Sequence, residues 1–137
     1  MKYLLAVICL FFNWKAENKN LTIQITGIKE TKGRIQMGIY NTPTKFPKIG
    51  GEYRIEYVNV TAKTITHTIE NLPDGYYAIA LYHDVNSDKA CNRNFLGIPT
   101  EPYGFSNNVK PVFSAPSFNS AKFLFDKNTQ MNVKLIN

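Results

Sequence analysis

The chain has 137 residues, of which 44% are hydrophobic and 13% aromatic, and its formal net charge is +6. This length allows one domain with a substantial core and is too short for two domains of ordinary size. The composition argues against a disordered chain. Lysines and arginines are scattered rather than clustered, which is typical of a solvated surface and argues against a nucleic-acid-binding protein.

A lysine at position 2 and an uninterrupted apolar run from Tyr3 to Phe12 begin the sequence. The run is too short to span a bilayer and is typical of a secretory signal peptide. We predict a signal peptide over residues 1–16, a single domain over 17–137, and no membrane span after signal removal. The expected location is periplasmic or secreted, in the cell envelope. Because no small-x-small cleavage triplet is present, the alternatives are an uncleaved anchor or a buried N-terminal segment.

Two segments, residues 21–28 and 34–40, alternate apolar and polar side chains. This period of two predicts strands with one buried face. A short polar segment ending at Gly33 separates them, so we predict that they form a β-hairpin. Two prolines and a Gly-Gly pair then predict a loop over residues 41–52.

Three more strands are predicted in the middle of the chain. Residues 53–60 and 63–70 alternate again, and in the second of these segments His67 shares a face with two isoleucines. We therefore expect His67 in or beside the core rather than in a metal site. Residues 76–82 are rich in aromatic and aliphatic side chains, which predicts a central strand.

The C-terminal half is harder to interpret. Residues 85–117 show little periodicity and contain many Gly, Pro, Asn and Ser residues. Such a long irregular segment in a compact domain is usually functional, or is packed down by its own aromatic residues. Two short strands follow, over residues 121–125 and 131–136, and no helix of convincing length is predicted. About seven short strands predict an all-β, single-domain β-sandwich of immunoglobulin-like type.

Two strings within residues 72–108, LPDGYYAIALYHDVNSD and NFLGIPTEPYGFSNN, resemble the bacterial family catalogued as domain of unknown function 2141. In that family a Leu-Pro-x-Gly-x-Tyr strand leads into a His-Asp-x-Asn loop, and a Gly-Ile-Pro-x-Glu-x-Tyr-Gly-Phe-Ser signature follows. The resemblance implies exported or envelope-associated single-domain proteins without an established activity. It also implies a sandwich similar to transthyretin-like or collagen-adhesin B-type modules.

The loop after the central strand is a candidate calcium site. Oxygen-bearing side chains occupy positions 1, 3, 5 and 9 of a calcium-type loop: Asp84, Asn86, Asp88 and Asn92. Lys89 stands where the loop's sharp turn favours glycine, and Phe95 stands where a bidentate glutamate belongs. The loop also departs from the more glycine-rich pattern of the family. We therefore predict a weak Ca²⁺ site, with a Kd of about 10⁻⁴ to 10⁻³ M, or alternatively a polar turn held by Asx-type hydrogen bonds.

The signature GIPTEPYGFSNN suggests a binding surface. Tyr103 and Phe105 offer flat apolar faces on a segment stiffened by two prolines, which would suit a sugar or a peptide because little entropy is lost on binding. Alternatively, the two rings plug the open end of the sandwich. Glu101 is expected to accept hydrogen bonds from loop backbone, and His83 completes the predicted binding set. The expected partner is a carbohydrate, a peptide or an envelope protein.

His83 also supports a rival interpretation, a small periplasmic hydrolase. Neighbouring residues on a strand face opposite ways, so His83 and Asp84 cannot easily form a hydrogen-bonded dyad. The candidate nucleophiles, Ser106 and Cys91, lie in no known nucleophile motif. Signal cleavage would leave Cys91 as the only cysteine, which excludes an intramolecular disulfide. We therefore predict no catalytic residues and a binding module, with the hydrolase as the alternative.

Overall fold

The computed structural model describes residues 15, 17–94 and 97–137. The predicted signal peptide falls almost wholly outside these residues and stays a prediction. The eight strands are β1 (Asn20–Thr26), β2 (Arg34–Tyr40), β3 (Arg54–Asn59), β4 (Ile65–Glu70), β5 (Gly75–Asp84), β6 (Tyr103–Phe105), β7 (Phe123–Phe125) and β8 (Thr129–Lys134). The helical segments are a 3₁₀ turn over Ser106–Asn108 and the single-turn helix α1 (Phe118–Ala121).

The strands form two sheets. One has three strands in the order β4-β1-β8, and the other has five, with β3-β2-β5-β6 in line and β7 also paired to β5. Every second residue of these strands points between the sheets, because side chains alternate across a strand. Apolar side chains from both inner faces form one core; its fully buried members are Leu21, Ile23, Ile25, Ile35, Met37, Ile39, Ile69, Ile79, Phe125 and Val133. The prediction of an all-β sandwich is confirmed.

The predicted hairpin between the first two strands is wrong. β1 pairs with β4 and β8, whereas β2 pairs with β3 and β5 in the other sheet. Residues 27–33 carry the chain across the sandwich, and Ile28 is buried on the way. Alternation shows which face of each strand is buried, but it does not show which neighbour the strand pairs with. Two strands show the same alternation when they lie in different sheets and their buried faces oppose each other across the core.

A second apolar layer lies on the outer face of the five-stranded sheet. The short strand β6 pairs with β5 so that Phe105 is opposite Ala80 and Tyr103 is opposite Tyr82. The loop before β3 and the helix α1 pack over this face. The buried members of the layer are Tyr40, Phe46, Ala78, Phe105, Phe118 and Ala121. Tyr103 and Phe105 therefore belong to the outer face, and the alternative in which they plug an open end of the sandwich is wrong.

The sandwich is closed by hydrogen bonds along the side where β6 and β8 lie. The backbone N–H of Tyr103 donates to the carbonyl of Ile136 over 3.1 Å, and the N–H of Ile136 donates to the carbonyl of Tyr103 over 2.7 Å. The Asn108 side chain accepts from the N–H of Lys134 at 2.8 Å and donates to the carbonyl of Asn132 at 3.1 Å. The Asn108 side-chain amide therefore makes hydrogen bonds with β8 that a neighbouring strand would otherwise make.

The opposite side, where β3 and β4 lie, is joined by side chains. The Arg54 guanidinium donates to the carbonyl of Glu70 at 2.7 Å, and His67 Nε2 lies 2.9 Å from a Glu56 oxygen. His67 is half-buried beside the core, which confirms the expectation from its apolar neighbours. Each of these contacts uses a side chain of β3, and no backbone hydrogen bond joins β3 to β4 among the described residues, so the backbone edge of β3 stays open.

Candidate functional site

The acid loop, residues 84–92, begins where β5 ends. Asp84 is fully buried on the outer face of β5. One of its carboxylate oxygens accepts from the backbone N–H of Asp88 at 3.0 Å, and the other accepts from that of Lys89 at 2.9 Å. Arg34, opposite Asp84 in the register, brings its Nε within 3.5 Å of the same carboxylate. Asp84 thus anchors the loop, as a carboxylate in an Asx-type turn does.

Glu101 reaches the acid loop from the segment before β6. It is almost fully buried. Its two oxygens accept from the backbone N–H groups of Val85 at 3.2 Å and Asn92 at 3.3 Å. Glu101 thus accepts hydrogen bonds from loop backbone, as predicted.

Asp88 lies at the surface of the same loop. Its oxygens accept from the Ala90 N–H at 2.9 Å, from the Asn92 amide at 2.9 Å and from the Asn86 amide at 3.2 Å. These hydrogen bonds, above all the one from Asn92, hold the pKa of the Asp88 carboxyl below its ordinary value because they favour the charged form.

Three carboxylates converge in the acid loop. Asp84, Asp88 and Glu101 each offer an oxygen, and these oxygens lie within 4.8 Å of one another. The four predicted calcium ligands come together only in part, because Asn86 and Asn92 direct their amide nitrogens at Asp88. Glu101 takes their place as an oxygen donor. Sequence spacing could not reveal this contact, since Glu101 is brought to the loop by the pairing of β6 with β5.

A groove of about 410 Å³ lies on the outer face of the five-stranded sheet. Gly38 and Ala80, which are opposite each other on β2 and β5, line it together with the ring-bearing residues Tyr40, Tyr103 and Phe105. The Tyr40 and Glu52 side chains already lie over Gly38, where a Cβ would meet both at 2.9 Å, so the small side chain that leaves a trough between the larger residues is that of Ala80. No sequence signal marked this trough, because small residues carry neither charge nor strong hydropathy.

The polar side chains in the groove are largely paired with one another. The Tyr82 hydroxyl donates to the Gln36 side chain at 2.9 Å. Burial, followed by the charge of nearby Asp84, raises the pKa of Tyr82 to about 12, so this hydroxyl is neutral at physiological pH. Glu52 accepts from the Gly50 N–H at 2.8 Å and from the Tyr40 hydroxyl at 3.3 Å.

Exposed apolar residues form the rim of the groove. Ile49, Ile98 and Phe113 all line it and are all largely in contact with solvent. Phe113 is fully exposed and has a φ of 62°, a left-handed conformation that is costly for a bulky residue. Strained residues of this kind concentrate at functional sites. The rim therefore has the character of a contact surface.

The family model described as "Uncharacterized protein conserved in bacteria (DUF2141)" matches residues 23–133. The chain belongs to this family. The matched segment includes the acid loop and most of the residues that line the groove. Searches of curated proteins and of solved structures gave no match. In the described part of this DUF2141 chain, neither helical segment has the length and apolar character needed to cross a membrane.

His83 of this DUF2141 protein is fully buried on the core face of β5, opposite to Asp84. Its Nε2 lies 2.7 Å from the Lys32 carbonyl. Because a carbonyl can only accept, the ring donates from Nε2. Nδ1 is buried and has no hydrogen-bond partner. His83, Glu101 and Asn92 share the lining of a second, more polar cavity of about 430 Å³.

The two candidate nucleophiles of the hydrolase alternative have other surroundings. The buried Ser106 hydroxyl donates to the Ala121 carbonyl at 2.6 Å and accepts from the Ile79 N–H at 2.9 Å. Burial raises the pKa of the Cys91 thiol, which disfavours the reactive thiolate. Within residues 17–94 and 97–137, no hydrogen bond joins His83 to either nucleophile. The described geometry therefore offers the hydrolase alternative no activated nucleophile.

Proposed function

We propose that this DUF2141 protein is an exported, non-enzymatic binding domain that holds an apolar segment of a peptide or envelope protein in the outer groove. The observation that carries the proposal is the groove lined by Ala80, Tyr103 and Phe105. Its volume of about 410 Å³ falls within the range usual for ligand sites. Export is supported by the apolar run that follows the lysine at position 2.

A peptide side chain suits the groove better than a sugar. The groove beside Ala80 offers space for one aliphatic or aromatic group, and the rim residues Ile49, Ile98 and Phe113 offer apolar contact around it. A sugar requires several free hydrogen-bonding groups, but Gln36 and Tyr82 already bond to each other. Exposed apolar surface of this kind marks protein interaction sites.

The test uses the full chain labelled with ¹⁵N and short capped peptides of glycine that carry one central leucine, phenylalanine or serine. We expect the leucine and phenylalanine peptides to shift the amide resonances of β2, β5 and β6, and the serine peptide to shift none. A cello-oligosaccharide and a chitin oligosaccharide serve as the carbohydrate probes. Shifts caused by these sugars alone, or shifts confined to the three-stranded sheet, would overturn the proposal.

The variant Ala80→Trp sharpens this test because the indole would fill the trough from its floor. We expect it to weaken peptide binding at least about tenfold. Thr66→Trp, on the outer face of the other sheet, is the matched control and should bind like the parent chain. Thermal melts of both variants show that each is folded. Unchanged binding by Ala80→Trp would remove the groove from the proposal.

The convergence of Asp84, Asp88 and Glu101 favours a second function for the acid loop. We propose that these three carboxylates hold Ca²⁺ weakly. A hard cation would offset their mutual repulsion and stiffen the loop beside the groove. Asn86 and Asn92 fit the ion less well, because their amide nitrogens face Asp88.

Thermal melts in EDTA and in millimolar Ca²⁺ test the calcium site. An ion that binds the native state preferentially raises the melting temperature. We expect a rise for the parent chain and none for Asp88→Asn, which removes one charge at the surface. Asp126→Asn, an exposed aspartate of the turn before β8, is the matched control and should keep the rise. Identical melts of the parent chain with and without Ca²⁺ would leave the loop as a polar turn.

A further inference from the structure

We infer that the open edge of β3 pairs with β3 of a second copy of this chain, in antiparallel fashion across a two-fold axis. β3 is the last strand of its sheet, and its strand neighbour among the described residues is β2. An unpaired edge presents a row of free backbone N–H and C=O groups to another strand. β3 lies beside the groove but none of its residues line it, and this inference does not depend on the proposed ligand.

The side chains of this edge are those of an interface. Tyr53 is 48% exposed, Ile55 40% and Tyr57 54%, although all three are large and apolar. The Arg34 guanidinium lies 4.6 Å from the centre of the Tyr57 ring and holds it by a cation–π contact. Proteins usually shorten or cover such edges, and this chain does so on its other side, where Ile136 pairs with β6.

The geometry of a two-fold axis limits the register. An axis perpendicular to the sheet keeps every side chain on its own face, so a residue can oppose only residues of the same face. Centring the pairing on Ile55 places Ile55 opposite Ile55 and Tyr53 opposite Tyr57, all on the outer face. It also places Arg54 opposite Glu56 of the second copy, twice.

Charge selects this register over its neighbours. Centring on Glu56 would place two carboxylates opposite each other, and centring on Arg54 would do the same with two guanidinium groups. Like charges directly opposite destabilise a strand pair, whereas opposite charges stabilise it. Arg54 and Glu56 already form an ion pair within one chain, and the register about Ile55 extends that pair into an alternating cluster of four charges. A second copy of the chain therefore complements this edge.

Sedimentation velocity of the full chain, from low micromolar to submillimolar concentration, tests the inference. We expect a monomer–dimer equilibrium. The single variants Arg54→Glu and Glu56→Lys each oppose like charges in the dimer and should raise its dissociation constant at least about tenfold. Lys127→Glu and Asp126→Lys make the same changes of charge in an exposed turn and should leave the dimer intact.

A mixture of the Arg54→Glu and Glu56→Lys variants provides the decisive experiment. In a mixed dimer the carboxylate introduced at position 54 opposes the lysine introduced at position 56, and the native Glu56 opposes the native Arg54. We therefore expect the mixture to form mixed dimers while each variant alone stays monomeric. A misfolded variant could not give this result. A parent chain that stays monomeric, or dimers indifferent to both edge variants, would overturn the inference.

A cysteine cross-link tests the register directly. Opposed residues of an antiparallel pair have Cα atoms about 4.5 to 5.5 Å apart, which a disulfide can span. Ile55→Cys should therefore give a covalent dimer on oxidation. Asn59→Cys at the end of β3 should not, when both variants carry Cys91 unchanged. Equal cross-linking of both variants would contradict the pairing about Ile55.

Discussion

The outer faces of the two sheets differ more than their inner faces do. On the three-stranded sheet the outward side chains are polar, and they bond among themselves, as Thr22 and Thr68 do at 3.4 Å and Gln24 and Asn132 do at 3.3 Å. On the five-stranded sheet many of the corresponding positions hold small, aromatic and aliphatic residues that form a second apolar layer and line a groove. Both sheets contribute apolar side chains to the core, and the face that departs from polar alternation is the one on which we propose a binding site.

The largest difference in stability between substitutions on the two outer faces is expected for Asp84→Ala. The substitution removes two acceptors from loop backbone and leaves the Arg34 guanidinium without its buried carboxylate. Breaking a buried ion pair in this way lowers the free energy of unfolding by about 3–5 kcal/mol. Thr22→Ala, the matched change on the polar face, should cost about 0.5 kcal/mol or less. Urea unfolding in EDTA measures both, and equal losses would remove the contrast.

A smaller loss is expected for Ser106→Ala, which acts on the segment that covers the apolar face. Its hydroxyl accepts from the Ile79 N–H and donates to the Ala121 carbonyl, so it ties β5 to α1. Leaving these buried groups without a partner lowers the free energy of unfolding by about 1–3 kcal/mol. Thr68→Ala on the polar face is the control. If hydrogen exchange at Ile79 and Ala121 stayed as slow as in the parent chain, the covering role of Ser106 would be refuted.

The smallest effect concerns the charge of the acid loop. Because hydrogen bonds lower the pKa of Asp88 in the folded state, they stabilise the fold at pH values above its ordinary pKa. That contribution disappears as the pH falls through the folded-state pKa, below about pH 4. Asn92→Ala should raise the pKa of Asp88 toward its ordinary value, and carboxyl-detected NMR titration measures the change. Asn132→Ala on the polar face should leave the titration unchanged, and an equal shift in both variants would contradict the assignment to Asn92.

Alternation of residue types was sufficient to predict most strands and the sandwich. Six of the strands span six or more residues, long enough for a period of two to be visible. β6 has three residues, too few for a period of two to predict a strand, and only the chemistry of Tyr103 and Phe105 marks this segment in the sequence. The hairpin prediction failed because a pattern along one strand holds no information about its neighbour.

The candidate site could be predicted only where its residues are close in sequence. The spacing of Asp84 and Asp88 identified the acid loop, and the proline-flanked signature identified Glu101 as a backbone acceptor. The convergence of Glu101 with both aspartates arises from strand pairing and has no local signal. The groove has no local signal either, because its lining residues, such as Gln36 of β2 and Ala80 of β5, are far apart in sequence and meet only through strand pairing.

The pairing of Ile136 with β6 limits how the proposed dimer can grow. Because Ile136 bonds to the far side of β6, β3 is the longest strand of the five-stranded sheet with an unpaired edge among the described residues. A partner strand on β3 uses that edge, and a two-fold axis uses the same edge of both molecules at once. Such a pair covers the β3 edges of both molecules, so a third copy finds no free β3 edge to join.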